Sequence, residues 1–146
     1  MLLTGTYPRT LDDKKRLTFP KKVRELLDDP KTLFITPGPD KSLWLYTQEG
    51  LEELSGKLDD VPATDAEARI FRRLYFGRTE AVDMDGNGRV LIPERLLEFA
   101  GLGHDVVLIG VRDHLELWEA NRWQQYETKH AKRFDKVAES AFHKRT

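Results

Sequence analysis

The chain carries one short pattern twice. Residues 12–20 read DDKKRLTFP, and residues 85–93 read DGNGRVLIP. The arginine recurs from position 16 to 89 and the proline from 20 to 93, so both lie at an offset of 73 residues. An internal repeat defines the structural unit before single residues are interpreted. The repeat therefore predicts two similar units, 1–77 and 78–146, within one chain of 146 residues.

Strand and helix signals follow one order in both halves: strand, turn, strand, short helix, hairpin and helix. Pro20 and Pro93 are expected at the first helical position, where the missing N–H costs nothing. Gly101 is expected to end its helix, and a further helix is expected between Thr64 as its N-cap and Gly77 as its stop. The predicted strands are 1–9, 16–19, 32–36, 43–46, 79–84, 89–92, 106–111 and 115–118. This mixture predicts an α+β protein.

The C-terminal segment has apolar and aromatic residues at three- and four-residue spacing, which predicts one long helix from residue 119 onward. The stripe consists of Trp123, Tyr126, His130, Phe134, Val137 and Ala141. The three tryptophans are expected in the core or in subunit contacts, because they lie at strand ends or on this stripe.

Composition narrows the function classes. The net charge is −1, so bulk charge gives no reason to expect nucleic acid as a partner. The absence of cysteine excludes disulfides, thiolate metal sites and cysteine nucleophiles. The start of the chain lacks a long apolar signal region, and no apolar run is long enough to span a membrane. We therefore expect a soluble intracellular protein.

The second copy also satisfies a calcium-loop pattern. Asp83, Asp85, Asn87, Gly88 and Glu94 fit D-x-[DN]-x-[DN]-G-x5-E in full. Three features oppose this interpretation. An apolar leucine occupies the ninth loop position, a proline precedes the glutamate, and the first copy has two lysines where calcium needs oxygen ligands. The shared pattern instead predicts a strand, a turn and a strand, with no metal site.

Positive charge is concentrated in the first copy. Between Arg9 and Arg24 there are seven basic and two acidic residues, a balance of +5, whereas residues 83–95 hold three acids and two bases. A concentrated basic face is typical of a phosphate-binding surface, because each neutralised phosphate releases counterions. The basic residues are Arg9, Lys14, Lys15, Arg16, Lys21, Lys22 and Arg24.

The Asp-x-x-x-Arg spacing lets a carboxylate hold a guanidinium in a fixed orientation across a tight turn. Asp12 would hold Arg16 in this way, and Asp85 would hold Arg89. An arginine so held can offer its remaining donors to a base edge or a phosphate at low entropic cost. For Arg16 the flanking lysines favour contact with nucleic acid. For Arg89 a role in the turn alone stays equally open.

No pattern predicts an enzyme. The four histidines have no metal-ligand spacing, and the chain contains neither a glycine-rich phosphate loop nor a Ser-His-Asp grouping. His130 lies on the apolar stripe and is expected to pack there. No cofactor is expected.

The doubled block, together with Arg73-Leu74-Tyr75-Phe76-Gly77 between its copies, resembles the MraZ family of bacterial regulators, which are built from two SpoVT-AbrB-type units. The resemblance runs from about Leu3 to the C-terminal helix. It implies an α+β fold of duplicated AbrB-like swapped-hairpin β-barrel units with peripheral helices. It also implies assembly into a closed homo-oligomeric ring.

The resemblance further implies a cytoplasmic, nucleoid-associated repressor of the division and cell-wall gene cluster, with double-stranded promoter repeats as its DNA partner. Family DNA contacts would fall on Lys14 and Arg16, with Arg89 as the counterpart in the second copy. Lys15 stands where the family usually has glycine, so a looser turn and a stronger basic patch are expected. Together with Arg9, these residues form the predicted DNA-binding set, in which the first copy contacts DNA and the second mainly completes the barrel.

Two alternatives stay open at this point. An AbrB-type antitoxin would bind DNA through its barrel and a toxin through its tail, although such tails are usually polar and disordered. A structural ring or a calcium-responsive module would have no role at DNA. Subunit number, operator sequence and the choice between repression and activation are not encoded in any recognisable pattern.

Overall fold

The computed structural model describes residues 1–144 and confirms a mixed α+β fold. The strands are β1 (Thr6–Thr10), β2 (Arg16–Thr18), β3 (Thr32–Pro37), β4 (Leu43–Tyr46), β5 (Glu80–Asp83), β6 (Arg89–Leu91), β7 (Asp105–Gly110) and β8 (Leu115–Glu119). The helices are α1 (Lys21–Leu26), α2 (Gln48–Gly56), α3 (Ala66–Arg78), α4 (Glu94–Ala100), α5 (Ala120–Ala131) and α6 (Phe134–His143). None of these helices is long and apolar enough to cross a lipid bilayer.

The two halves of the chain exchange their first strands. Six strands form one antiparallel sheet in the order β1-β7-β8-β4-β3-β5, and β2 pairs with β6 in a separate two-stranded ribbon. Strand β1 from the first half therefore pairs with β7 of the second, while β5 from the second half pairs with β3 of the first. The division of the chain at residues 77 and 78 stays a prediction.

A pseudo-two-fold axis relates the halves. In the ribbon, Leu17 pairs with Val90, which lies 73 positions later in the chain. In the large sheet, Trp44 pairs with Glu116, which lies 72 positions later. In both strand pairs, the central residue thus lies opposite its own counterpart in the repeat. The repeat read from the sequence is an internal symmetry of the fold.

The core is built from equivalent residues of both halves. Leu17 and Val90 are fully buried at the axis, and Phe19 and Ile92 lie close to them. Each residue burying its apolar side chain contributes roughly 1.5–3 kcal/mol relative to exposure. The other equivalent pairs are Val23 with Leu96, Leu27 with Ala100, Leu33 with Val106, Ile35 with Leu108, Leu43 with Leu115 and Leu45 with Leu117. One continuous core therefore serves both halves.

Helix ends differ from the sequence predictions by one or two residues. Gly101 ends α4 in a left-handed conformation, as expected, with φ 61°. Pro20 and Pro93, however, are N-caps with extended ψ angles rather than first helical residues. Asp65, not the preceding threonine, caps α3, because its carboxylate accepts a hydrogen bond from the backbone N–H of residue 68. Gly77 does not stop α3, which continues by one residue.

The predicted long C-terminal helix is wrong. It divides into α5 and α6 at Lys132 and Arg133, neither of which is a helix-breaking residue. The ring of Trp123 lies 5.2 Å from that of buried Trp118, so the first part of the apolar stripe packs on the sheet. The second part does not, since the side chain of Phe134 is 70% exposed.

A buried histidine lies beside the junction of the halves. His114 is 5% exposed, and its ring stacks on that of Trp44 with centroids 4.0 Å apart. Its Nδ1 lies 2.7 Å from Asp113 and its Nε2 lies 2.9 Å from Glu116. Burial opposes protonation, but the two carboxylates outweigh burial and raise the pKa of His114 above its ordinary value. A protonated ring would donate to both carboxylates.

Candidate nucleic-acid interface

The first turn is organised by one carboxylate. Asp12 Oδ1 accepts hydrogen bonds from the backbone N–H groups of Lys14 at 2.9 Å and Arg16 at 2.8 Å. Its Oδ2 accepts from Arg16 Nε at 2.6 Å. These hydrogen bonds, the backbone N–H of Arg16 foremost, hold the pKa of Asp12 below its ordinary value. The guanidinium is therefore oriented by a permanently charged partner at neutral pH.

The second turn has the same geometry. Asp85 Oδ1 accepts from the backbone N–H groups of Asn87 at 2.9 Å and Arg89 at 3.0 Å, and its Oδ2 lies 2.8 Å from Arg89 Nε. The pKa of Asp85 is lowered, again mainly by the backbone N–H of Arg89. Each carboxylate engages only Nε, so the outer nitrogens of both guanidinium groups have no partner within residues 1–144.

Lys15 does not loosen its turn, contrary to the expectation from the sequence. Its φ is 63°, close to the 75° of Gly88 at the equivalent position. Its backbone N–H donates to Asp12 O at 2.9 Å, and that of Gly88 donates to Asp85 O at 3.0 Å. Left-handed backbone costs a non-glycine residue about 1–2 kcal/mol, so the tight turn forms with Lys15 under strain.

The ribbon between the turns presents both arginines to solvent. Successive residues of a strand point to opposite faces, and Leu17 and Val90 point inward. Arg16, paired with Leu91, and Arg89, paired with Thr18, consequently share the outer face. Their side chains are 28% and 30% exposed. The outer face thus carries two oriented guanidinium groups related by the pseudo-two-fold axis.

Arg24 lies at the second turn and not at the first. A Cβ placed on Gly88 would come within 2.7 Å of Arg24 Cδ and 2.8 Å of its Nε, so the arginine side chain lies directly over the glycine. The Nε of Arg24 is buried and has no hydrogen-bond partner within the described residues. The exchange of strands carries α1 from the first half across to the turn of the second.

The first turn meets acidic residues instead. An open groove beside it is lined by Lys14, Lys15, Glu94 and Glu98, the last two from α4. Leu97, which also lines this groove, lies 73 positions after Arg24 and is its repeat counterpart. The difference in charge between the two copies, calculated along the chain, therefore does not describe the two turns in three dimensions. Helix α1 of the first half lies at the second turn, and helix α4 of the second half lies at the first turn.

Arg9 is not at the turns. It lies on β1 opposite Val106, and its Nη1 donates to the carbonyl of Pro8 at 2.8 Å. The groove that it lines also contains Asp105 of β7 and Ala120 of α5. Of the predicted DNA-binding set, the structure brings together Lys14, Lys15, Arg16 and Arg89 around the ribbon, and leaves Arg9 apart.

The calcium-pattern segment is a strand, a turn and a strand. Asp83 lies on β5 and accepts a hydrogen bond from Thr32 at 3.1 Å, while Asp85 holds Arg89 and Glu94 begins α4. Across residues 1–144 there is no cluster of three or more acidic or histidine side chains arranged to hold a metal ion.

Comparison with known proteins gives the family. A protein named transcriptional regulator MraZ from Lactiplantibacillus plantarum is 40% identical over 136 residues, which cover 93% of this chain and 95% of the relative. The chain belongs to the MraZ family. A family model described as "MraZ protein, putative antitoxin-like" matches residues 75–145. Relatives from Moorella thermoacetica and Heliobacterium modesticaldum, both named transcriptional regulator MraZ, are 36% and 37% identical over 94% of the chain and 95% of their own length.

Proposed function

We propose that this MraZ chain is a sequence-specific DNA-binding transcriptional regulator and not an enzyme. The observation that carries the proposal is the outer face of the β2–β6 ribbon, with Arg16 and Arg89 each held by a carboxylate. A two-stranded ribbon fits the major groove of B-DNA, and arginine can donate two hydrogen bonds to the O6 and N7 of guanine. The free outer nitrogens of both side chains match this requirement.

The symmetry of the ribbon supports a role for both arginines. Arg16 and Arg89 occupy equivalent places about the axis and have the same partner geometry. A surface with approximate two-fold symmetry suits an operator whose half-sites are similar but not identical. Both copies of the motif would then read bases, which replaces the unequal roles inferred from charge along the chain.

Neighbouring cations would supply phosphate contacts. Lys14 and Lys15 are exposed beside Arg16, and Arg24 covers Gly88 beside Arg89. Such contacts carry no sequence information, yet they position the ribbon and make binding depend steeply on salt. The acidic side chains of Glu94 and Glu98 beside the lysines limit this attraction at the first turn.

The finer function is proposed from the resemblance to the family. We propose that the chain consists of two AbrB-like units, 1–77 and 78–146, and that copies of the chain assemble into a closed ring. The ring would repress the division and cell-wall gene cluster. It would act in the cytoplasm, in association with the nucleoid. The strand exchange between the halves supports the swapped-hairpin character of these units. A ring would present several ribbons to repeated operators, and each later contact would gain from effective concentration.

The test is DNA binding measured by fluorescence anisotropy with the DNA upstream of the chain's own gene. We expect Arg16→Ala and Arg89→Ala each to weaken binding by roughly 5- to 150-fold, the cost of one bidentate base contact. Arg73→Ala, an exposed arginine on α3, is the matched control and should bind as wild type. Unchanged affinity in both ribbon variants would refute the proposed interface.

A further inference from the structure

We propose that Asn87, in the second turn, recognises an adenine in the major groove, whereas its counterpart Lys14 contacts the phosphate backbone. The inference rests on the proposed function and deepens it. It assigns base recognition at one end of the β2–β6 ribbon to a side chain outside the predicted DNA-binding set. The two ends of the ribbon would then contribute differently to the recognition of one operator.

Asn87 and Lys14 occupy equivalent places in the fold. Asn87 lies 73 positions after Lys14 in the chain. Its backbone N–H donates to Asp85 Oδ1 at 2.9 Å, and that of Lys14 donates to Asp12 Oδ1, also at 2.9 Å. Neither residue has a positive φ. The pseudo-two-fold axis therefore places two chemically different side chains at matching positions near the two ends of the ribbon.

The side-chain amide of Asn87 is available to a partner. The residue is exposed, and its side chain makes no hydrogen bond within residues 1–144. A carboxamide can accept a hydrogen bond from the N6 amino group of adenine and donate one to N7 at the same time. The ammonium of Lys14 has donors only, so it suits phosphate oxygens and cannot form this adenine pair.

The backbone beside Asn87 is open to the approach of a ligand. Its neighbours are Gly86 and Gly88, so neither carries a side chain. Gly88 is explained by its φ of 75° and by Arg24 above it. Gly86 has neither reason, since its φ is not positive and a Cβ there would meet nothing within 4 Å in residues 1–144. Glycine at a place that the described chain does not crowd fits close approach of a ligand to the backbone.

The two turns are far enough apart to contact different base pairs. They lie at opposite ends of the ribbon, where Ile92 N–H donates to Lys15 O at 3.0 Å and Phe19 N–H donates to Gly88 O at 2.9 Å. Phe19 lies four positions after Lys15, which corresponds to about 13 Å of strand. Base pairs follow one another at about 3.4 Å, so a ribbon along the groove places its two ends roughly four base pairs apart. The adenine preference should therefore be confined to one end of the recognised sequence.

The experiment first identifies the sequence that wild type selects from a library of short random duplexes. Fluorescence anisotropy then compares the selected duplex with a copy in which the A·T pair at one end is replaced by G·C. We expect wild type to prefer the A·T duplex by roughly 5- to 150-fold, the discrimination given by one bidentate pair. Asn87→Ala should lose this preference and bind both duplexes equally.

Asn87→Lys gives the second turn the residue of the first. The variant should fold, because Lys14 already occupies the matching backbone position. It should lose the adenine preference, and its slope of log Kd against log salt concentration should rise by about 1 through a gained phosphate contact. Asn121→Ala is the matched control, since it removes the same side chain from exposed α5, and it should keep the wild-type preference.

Two results would overturn the inference and leave the proposed function in place. One is a selected sequence with no A·T pair at either end. The other is an adenine preference that persists in Asn87→Ala and Asn87→Lys, since another residue would then recognise that base pair. In both cases Arg16→Ala and Arg89→Ala would still weaken binding. Selection of no sequence by wild type would overturn the proposed function and the inference together, and circular dichroism confirms that each variant is folded.

Discussion

Arg24 lies directly over Gly88, although the two residues belong to different halves of the chain. A Cβ at position 88 would stand 2.7 Å from Arg24 Cδ, so the arginine side chain would have to shift to admit one. Gly88 also has a φ of 75°, which side chains rarely adopt. The second turn therefore favours glycine for two independent reasons, the backbone conformation and the arginine above it.

Gly88→Ala is expected to lower the free energy of unfolding by at least about 1–2 kcal/mol, the cost of left-handed backbone alone. Displacement of Arg24 adds to this loss. Chemical denaturation of Gly88→Ala, Arg24→Ala and the double variant measures the coupling between the two sites. Removing the arginine should make the alanine better tolerated. Strictly additive effects would contradict the contact.

Lys15→Gly is expected to stabilise the protein by about 0.5–1 kcal/mol, because relief of left-handed strain exceeds the entropic cost of glycine. Lys14→Gly is the matched control, since Lys14 is not among the residues with positive φ. It should lower stability. Thermal and urea unfolding of both variants provide the measurement, and a loss of stability in Lys15→Gly would show that the turn carries no strain there.

Arg24→Gln is expected to weaken DNA binding about equally for all sequences. The slope of log Kd against log salt concentration should fall by about 1, the signature of one lost phosphate contact. Arg73→Gln removes the same charge from α3 and should leave the slope unchanged. Equal slopes for Arg24→Gln and wild type would assign Arg24 a structural role only.

Stability is expected to fall as pH rises, because His114 loses a proton that the folded state stabilises. The carboxylates of Glu116 and Asp113 raise its pKa in the folded state despite burial, so its contribution is full below the unfolded value of about 6.5. That contribution is lost as pH rises through the folded value. Urea unfolding between pH 6 and 9 should show a steeper decline for wild type than for His114→Gln. If stability declined less steeply with pH in wild type than in His114→Gln, the fold would lower the pKa of His114 and not raise it.

Local features were predictable from the sequence because they depend on neighbours. The pairing of Asp12 with Arg16, the strand-turn-strand at each motif and the cap at Gly101 all arise within a few residues. Features created by the exchange of strands were not predictable from the sequence. The sequence assigned Arg24 to the basic first copy, and no local signal shows that α1 crosses to Gly88.

The break before α6 had no signal in the sequence, and the conformation of Lys15 had only an indirect one. Lys132 is compatible with helix, so the end of α5 is not marked by composition. Lys15 carries none of the glycine signature of a left-handed residue, and only the repeat counterpart at Gly88 points to its backbone. Comparison of Lys15 with this counterpart in the repeat would have predicted its left-handed backbone conformation.

The exchange of β1 and β5 has a consequence for folding. Each half leaves its first strand in the sheet of the other, so neither half alone can complete its hydrogen bonding or its core. The halves are arranged like two strand-exchanged protomers that are covalently joined through α3. Joining them turns a bimolecular association into an intramolecular one. The chain can therefore fold at any dilution, whereas its separated halves would recombine only at sufficient concentration.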